Sequence, residues 1–382
     1  MTRSSERRLG LLLLAAAAGT NIPTPLLLVY RAELDMSSTS VTALFGVYAL
    51  GLMPAVALAG PAADRWGRRR VAIPVTLFSA LTSLLYVTVA HHEPLLFLVR
   101  FLQGAGAGAV FTVGSAWLVE AAVREGSRSG PRTAAVAMTG GFAIGPAIAG
   151  LIGQWGPWPL ILPYLLHVVA LLLALAAAWT VTETLVPRAV DVHDVVSRSP
   201  FLPGRLSAAV LVVAPLAVCV YAFPASAIAG VPVLIGLPAA PVALTGLLAG
   251  ATLGAGSLAA PLQGRLGART APVAAACGFV GFALTAVAAA VPALLLLAVP
   301  AAVVLGAGGG LSLASGLARL PTVAAEGRLG TVSAAFYATA YVGFGVPLLL
   351  AALASVADVS VWLGVLAVTC GVLAVQQARA RL

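Results

Sequence analysis

The sequence predicts an all-α polytopic membrane protein of twelve transmembrane helices in two six-helix bundles, with both termini in the cytoplasm. Three observations carry this prediction. Of the 382 residues, 61% are hydrophobic and only 9% charged, against roughly 25% charged in an ordinary soluble domain. So few charges cannot solvate the surface of a chain this long, and a mean hydropathy of +1.05 requires apolar stretches that face lipid. The same numbers exclude a disordered chain. The second observation is a series of twelve apolar runs of membrane-spanning length, and the third is the distribution of the basic residues between them.

A bilayer-crossing helix takes about 20 mostly apolar residues. The first run, 9–30, follows Arg7-Arg8 and is too long for the apolar segment of a secretory signal, so it is read as a span. Runs 40–62 and 71–90 flank the cluster Gly60 to Arg70. Run 95–119 begins after Pro94 and contains Arg100. Run 133–154 begins after Arg132, and run 159–181 ends before Glu183. After the polar interval from Glu183 to Arg205 come 206–229, 239–262, 271–291, 293–317, 329–353 and 359–377. Between 229 and 239 the chain is apolar but broken by Gly230, Pro232 and Pro238, and is read as an extracytoplasmic turn. The polar interval divides six spans from six, giving an N-terminal bundle 1–184, a cytoplasmic linker 185–205 and a C-terminal bundle 206–382.

The net charge of +9 comes from 21 basic and 12 acidic residues, and every basic residue is arginine. With the N-terminus inside, nineteen of them fall on the cytoplasmic side: Arg3, Arg7, Arg8; Arg65, Arg68, Arg69, Arg70; Arg124, Arg128, Arg132; Arg188, Arg198, Arg205; Arg265, Arg269; Arg319, Arg328; Arg379 and Arg381. Only Arg31 falls outside, and Arg100 lies within a span. The positive-inside rule demands this asymmetry, so the charge is read as topology and not as a nucleic-acid footprint. Cys219, Cys277 and Cys370 all lie in apolar runs without metal-ligand spacing, so no disulfide framework, metal site or cofactor is expected.

Similar features recur about 200 residues apart. Arg65-Trp-Gly67-Arg-Arg69 returns as Arg265-Leu-Gly267-Ala-Arg269, Glu125-Gly126 as Glu326-Gly327, and Gly104, Gly106 and Gly108 as Gly306, Gly308 and Gly310. Duplicated six-helix halves point to a transporter that works by alternating access.

Three motifs carry chemistry. The loop after the second span reads Gly60-Pro-Ala-Ala-Asp64-Arg65-Trp-Gly67-Arg68-Arg69-Arg70. A tight turn with one carboxylate and several guanidiniums can latch neighbouring helix ends, with Asp64 placed at a helix N-terminus. In the fourth span Arg100-Phe-Leu-Gln103-Gly104-Ala-Gly106-Ala-Gly108 puts a charge about five residues inside the membrane. Such a charge is costly, so Arg100 is expected to face the aqueous cavity, with Gln103 one turn on along the same face and Gly104 and Gly108 forming a strip for close helix packing. In the fifth span, Ala137, Gly141, Gly145, Ala149 and Gly153 make a smooth stripe that Pro146 can bend.

These motifs resemble those of the major facilitator superfamily: its G-x-x-x-D-R-x-G-R-R/K loop, its R-x-x-Q-G-x-G helix, and the G-x-x-x-G-P-x-x-G-G element of its export (antiporter) branch. The resemblance covers the whole chain, including Thr182-Glu183-Thr184, which is similar to a common family ending. It departs at Ala149, where the family usually has Gly. In the second half Gly264 replaces the acid equivalent to Asp64, and Ala302 stands where a second Arg100 would fall. The charged machinery is therefore expected in the N-terminal bundle.

The resemblance implies that the first, fourth, seventh and tenth helices line a central cavity. Their mid-depth polar and aromatic residues are Asn21, Thr24, Tyr30, Arg100, Gln103, Thr112, Ser115, Trp117, Tyr221, Ser226, Ser312 and Ser315. Mostly apolar walls with few hydroxyls suit an amphiphilic or hydrophobic substrate, a drug or metabolite. Gly60, Asp64, Arg65, Gly67, Arg68 and Arg69 form the expected conformational latch. The family implies proton antiport, yet no acid lies deep in any span. The candidates are Glu33 and Asp35 at the outer end of the first helix, Glu120 at the inner end of the fourth, Asp64, and Arg100. His167 titrates in the right range, but a lone histidine on an apolar helix is more often a packing residue. The expected partners are a small-molecule substrate, protons and the lipid bilayer, with no nucleic acid, for a monomer spanning the inner (cell) membrane many times. The alternatives are an importer or exporter of an anionic molecule using Arg100, and a polytopic membrane enzyme. The enzyme reading would require clustered acids or histidines, and His91-His92 beside Glu93 is too little for a metal site.

Overall fold

The structure is a computed structural model that describes residues 4–184, 209–237, 240–325 and 329–380. The proposed linker 185–205, the repeat partner Glu326-Gly327, and Arg3, Arg328 and Arg381 lie outside the described residues. Among the described residues every regular element is helical: α1 (Ser5–Leu34), α2 (Ser38–Trp66), α3 (Arg68–Val89), α4 (Glu93–Arg124), α5 (Gly130–Trp155), α6 (Leu162–Ala178), α7 (Ala209–Ile235), α8 (Pro241–Ala259), α9 (Thr270–Ala290), α10 (Pro292–Val323), α11 (Thr331–Leu353) and α12 (Val359–Arg379). Ten stretches are long and apolar enough to cross a membrane, and α6 is a shorter apolar helix. The continuous 50-residue stretch Pro241–Ala290 contains two of the runs expected from sequence. Pro261, Gly264 and Gly267 tighten the connection into two 3-10 turns, Ala260–Leu262 and Gly267–Arg269, around one α-helical turn.

The 229–239 segment departs from expectation. Instead of turning at Ala229, α7 continues as a π-helix over Ser226–Ile235 and ends at Gly236, whose φ is +82°. A proline inside a helix lacks a donor and crowds the preceding turn. Widening the turn to the π register makes room for Pro232 while Ala229, Gly230 and Val231 stay buried.

The chain divides into two compact units, the first comprising Met1–Arg188 with Ala239–Gly250 and the second Ala189–Pro238 with Ala251–Leu382. In the first unit α2 packs on α4, α1 on α5, and α3 on α4 and α6, around a core that includes Leu12, Leu13, Val113, Trp117 and Leu171. In the second unit α7 packs on α10 and α11, and α9 on α10 and α12, around Val213, Ala217, Val220, Val323 and Phe336. Exposed Trp66 and Trp179 at one end of their helices, and Trp155 and Trp158 at the other, mark the two levels where amphipathic rings anchor at a membrane surface.

The glycine spacing explains the packing, and it repeats. A Cβ on Gly104 would stand 2.0 Å from the Tyr48 carbonyl oxygen of α2, and one on Gly108 2.8 Å from that of Leu52. At an offset of 202, a Cβ on Gly306 would stand 2.0 Å from the Thr252 oxygen of α8, and one on Gly310 would meet the Gly256 oxygen at 1.9 Å. Gly106 faces Ser79 of α3 and Gly308 faces Cys277 of α9. Each glycine of the triplet thus has the same packing partner, in element order, as its counterpart in the other half. The α5 stripe seats on α1, where a Cβ on Gly141 or Gly145 would meet the oxygens of Leu14 or Ala18 at 2.3 and 2.0 Å. Pro146 lies on the adjacent face, where its oxygen closes on Gly246 within the first unit.

Candidate functional site

Helix α1 is broken in its middle. Pro23 and Pro25 have no N–H to donate, so the carbonyls of Gly19 and Asn21, four residues earlier, lose their helical partners. Residues 21–22 form a turn, in which Thr24 N–H donates to Asn21 O at 3.1 Å and leaves Thr20 O without its helical donor. The Ile22 N–H reaches Gly19 O at a long 3.4 Å, and two α4 side chains complete the carbonyls of Gly19 and Thr20. Gln103 Nε2 donates to Gly19 O at 2.9 Å, and Arg100 Nη1 donates to Thr20 O at 3.0 Å and to Gln103 Oε1 at 2.7 Å. Tyr86 of α3 donates its hydroxyl to the same Gln103 oxygen at 3.0 Å. Its ring stacks on Tyr164 of α6, 4.6 Å between centroids, and the Tyr30 hydroxyl donates to that of Tyr164 at 3.1 Å.

Arg100 is therefore enclosed instead of facing an aqueous cavity. It is 1% exposed, with its guanidinium 4.8 Å from the Tyr48 ring centre and 5.8 Å from that of Phe45. The physical reason is local: the Thr20 carbonyl, the Gln103 amide oxygen and two aromatic faces stabilise a buried cation where lipid would not. The expected proximity of Gln103 is present. Asn21 and Thr24 pair with each other at 3.5 Å and are buried.

The same seam continues to α6. His167 Nε2 lies 3.1 Å from Ala15 O and Nδ1 lies 2.7 Å from Ser83 Oγ, and the ring is buried. Gly19 lies flat against it: a Cβ there would stand 2.1 Å from both Cε1 and Nε2.

At the end of α2 the loop motif forms a second cluster. Asp64 lies in the last turn of α2, not at a helix N-terminus, and pairs with Arg68 at 2.5 Å. The carboxylate on a helix N-terminus is that of Glu183, whose two oxygens accept from the backbone N–H groups of Arg68 (2.8 Å) and Arg69 (3.0 Å), the first residues of α3. The helix start supplies donors and a partial positive charge there. Gly67, at φ +105°, permits the approach, since a Cβ would stand 2.4 Å from Glu183 Oε2. Glu120 is committed to the same cluster, accepting from Arg68 Nη2 at 3.0 Å and from Thr184 Oγ1 at 2.5 Å. Arg69 donates to Trp179 O at 3.0 Å with its guanidinium over the Trp179 ring, and Arg124 holds the oxygens of Glu183 and Thr184 at 2.8 Å each. Arg65 lies over Trp66. Gly60 has ordinary room, its nearest neighbour 3.8 Å from an added Cβ. Glu33, 3.6 Å from His91, and Asp35, at the α1 C-cap, are exposed.

In the second unit Tyr221 stacks on Tyr341 (5.1 Å) and Phe344 (4.7 Å). Ser312 and Ser226 are buried, with no hydrogen-bond partner for either hydroxyl among the described residues. Sequence reasoning missed Glu183, Tyr86, Tyr164 and Ser83. The readable signal was the Pro23/Pro25 pair, which announces a break in the helical ladder without saying which side chains meet it.

Comparison with known proteins bears on the family and the fold. Multidrug resistance protein MdtL of Escherichia coli O157:H7 (strain EC4115 / EHEC) is 39% identical over 87 residues, 23% of this chain and 22% of the relative. MdtL of Shewanella sp. (strain ANA-3) is 33% identical over 160 residues, 40% of this chain and 38% of the relative. The uncharacterized MFS-type transporter YfiU of Bacillus subtilis (strain 168) is 29% identical over 147 residues, 37% and 27% of the two chains. The chain thus matches well under half the length of these relatives. The fold matches throughout: the nucleoside transporter NupG superposes with a TM-score of 0.73 at 15% identity, covering 100% of this chain and 100% of NupG. The peptide transporter POT in complex with sulfate gives 0.77 at 14% identity, over 98% and 94%. Residues 9–347 match the Major Facilitator Superfamily as a whole. The chain belongs to the Major Facilitator Superfamily.

Proposed function

We propose that the chain exports small amphiphilic or hydrophobic molecules by alternating access of two six-helix bundles, driven by proton antiport. The observation that carries export is the α5 stripe. Gly141 and Gly145 seat directly on the α1 backbone beside Pro146, in the element that resembles the antiporter branch. The MdtL relatives, named as multidrug resistance proteins, support the substrate class. In this reading α1 to α12 are twelve crossings, with Pro241–Ala290 counted as two and α6 as one. The bundles are 1–184 and 206–382, and both termini face the cytoplasm on the strength of the nineteen arginines placed there. The protein acts as a monomer in the inner membrane and is a transporter, not an enzyme. Asp64, Arg68, Glu120 and Glu183 latch the outward-open state, and Asn21, Thr24, Tyr30, Arg100, Gln103, Tyr221 and Ser312 serve the substrate path.

A second reading makes Arg100 the attractor of an anionic substrate. It is favoured by one observation: among the described residues no carboxylate pairs with Arg100, and its Nε has no partner. A susceptibility panel in an efflux-deficient bacterial host, with and without an uncoupler, tests both readings. Resistance to lipophilic compounds that the uncoupler abolishes is expected; unchanged susceptibility across the panel, or resistance confined to anionic compounds, would overturn the proposal.

A further inference from the structure

The seam between α1, α3 and α6 holds a titratable group that the latch and the α1 cap do not use, and its two partners differ in kind. The Ala15 carbonyl can only accept, so His167 Nε2 carries a hydrogen and donates at 3.1 Å. The Ser83 hydroxyl, 2.7 Å from Nδ1, can either donate or accept. The site therefore accommodates both ionisation states of the ring without losing a hydrogen bond. In the neutral ring Ser83 donates to the Nδ1 lone pair. When a proton from water binds that lone pair, Nδ1–H donates to Ser83 Oγ. The Ser79 oxygen, four residues back, already accepts from Thr82 Oγ1 at 2.8 Å, so the hydroxyl hydrogen then turns to the Ala80 carbonyl three residues back, the spacing that Thr82 itself uses.

We propose that His167 is the proton-binding group of this transporter; among the described residues the carboxylates of the spans, the buried Glu6 included, lie toward the helix ends and not at the depth of this ring, and the proposal rests on the reading of proton-coupled export. The charged and titratable groups on the elements packed against the ring are few at its depth. They are Tyr30 of α1, Tyr86 of α3 and Tyr164 of α6 itself, all within the hydrogen-bonded and stacked seam. Nearer the helix ends α1 carries Glu6, Arg7, Arg8, Arg31 and Glu33, α3 carries Arg68, Arg69 and Arg70, and α5 carries Arg132. From α4, Arg100 reaches the seam at Thr20. Gly19 couples the two sites: its Cα lies against the imidazole, and its carbonyl is held by Gln103, which also binds Arg100. Protonating His167 places a second cation beside the turn of α1 whose oxygens already hold Arg100, and the two repel at low dielectric. The strain falls on the break at residues 21–22, the one place where α1 has no helical ladder to resist it. Proton binding is thereby tied to the geometry of a helix that the family resemblance places on the substrate path.

Two measurements test this. The first is ¹⁵N NMR titration from pH 5 to 9 of the full chain, ¹⁵N-labelled at its four histidines and held in nanodiscs. A signal absent from His167→Gln should pass from the Nε2–H neutral tautomer to the doubly protonated ring, with a midpoint that falls in Ser83→Ala because the charged form loses its acceptor. A His167 signal that stays in one form over the whole range, or a midpoint indifferent to Ser83→Ala, would overturn the proposal. The second uses everted membrane vesicles and the probe Hoechst 33342. His167→Gln should lose at least tenfold of the pH-gradient-driven uptake while retaining counterflow, which needs no net proton movement. Wild-type gradient-driven uptake in that variant would also overturn it. If the wild type itself shows none, the exporter reading fails, and the titration alone decides whether His167 binds a proton.

Discussion

Glu183 closes one carboxylate oxygen on the backbone N–H of Arg68 at 2.8 Å and the other on that of Arg69 at 3.0 Å, joining the segment after α6 to the start of α3. The loop motif and the Thr182-Glu183-Thr184 ending are therefore one device, although 115 residues separate Glu183 from Arg68. Replacing Glu183 with Ala strands both donors and removes a charge from the helix start. A loss of about 1.5–3 kcal/mol is expected, as for other hydrogen bonds to charged groups. Thermal unfolding of the purified protein checks this; an unchanged midpoint would contradict it.

Gly67→Ala should be at least as damaging as the loss of Glu183. The substitution combines a φ of +105° with a Cβ 2.4 Å from a carboxylate oxygen, so both the turn and the cap must shift. By contrast Gly60→Ala, with 3.8 Å of clearance, should leave stability and transport near wild type. Measuring the two side by side separates a motif glycine needed for geometry from one that is not.

Asp64→Asn keeps the shape of the last α2 turn but removes the ion pair with Arg68. Asp64 is 60% exposed, and exposed pairs contribute little to stability, so expression and melting temperature should stay near wild type. Transport should be abolished, because the pair belongs to the latch and not to the core. Near-normal efflux in a cell-based assay would remove the latch argument.

Much of this fold was legible in the sequence, for reasons that the glycines make concrete. Run length marks the apolar helices, and the 202-residue offset between Gly104 and Gly306 corresponds to the same Cβ-free approach in each half. The polar seam was less legible because its key acceptors are backbone oxygens. Nothing in the identity of Gly19 or Thr20 shows that the break in α1 before Pro23 and Pro25 turns their carbonyls to Gln103 and Arg100. Arg100 thus read as a cavity-facing charge, and Glu183 as the edge of a linker. The π-helical continuation to Ile235 was hidden for a similar reason, since Gly230 and Pro232 are also the residues of a turn.

The repeat predicts matched effects. Gly104→Ala and Gly306→Ala each drive a methyl into a carbonyl oxygen at 2.0 Å, and each should cost about 1–3 kcal/mol by overpacking. Comparable losses in thermal stability are expected from the two single variants. A loss confined to one half would show that the halves do not share the packing.

Arg100→Ala removes the donor to Thr20 O and a buried cation from two aromatic faces. It should abolish transport, and Arg100→Lys should rescue it only partly, since one ammonium cannot reproduce the guanidinium fork. Wild-type turnover in Arg100→Ala would reduce the residue to a packing role.

Proton-coupled export is tested most directly in everted vesicles with whichever compound the susceptibility panel singles out. Under an imposed pH gradient, acid inside, wild-type vesicles should accumulate that compound, and nigericin should collapse the accumulation while Asp64→Asn vesicles show none. Accumulation that survives nigericin, or that is equal in the Asp64→Asn vesicles, would contradict it.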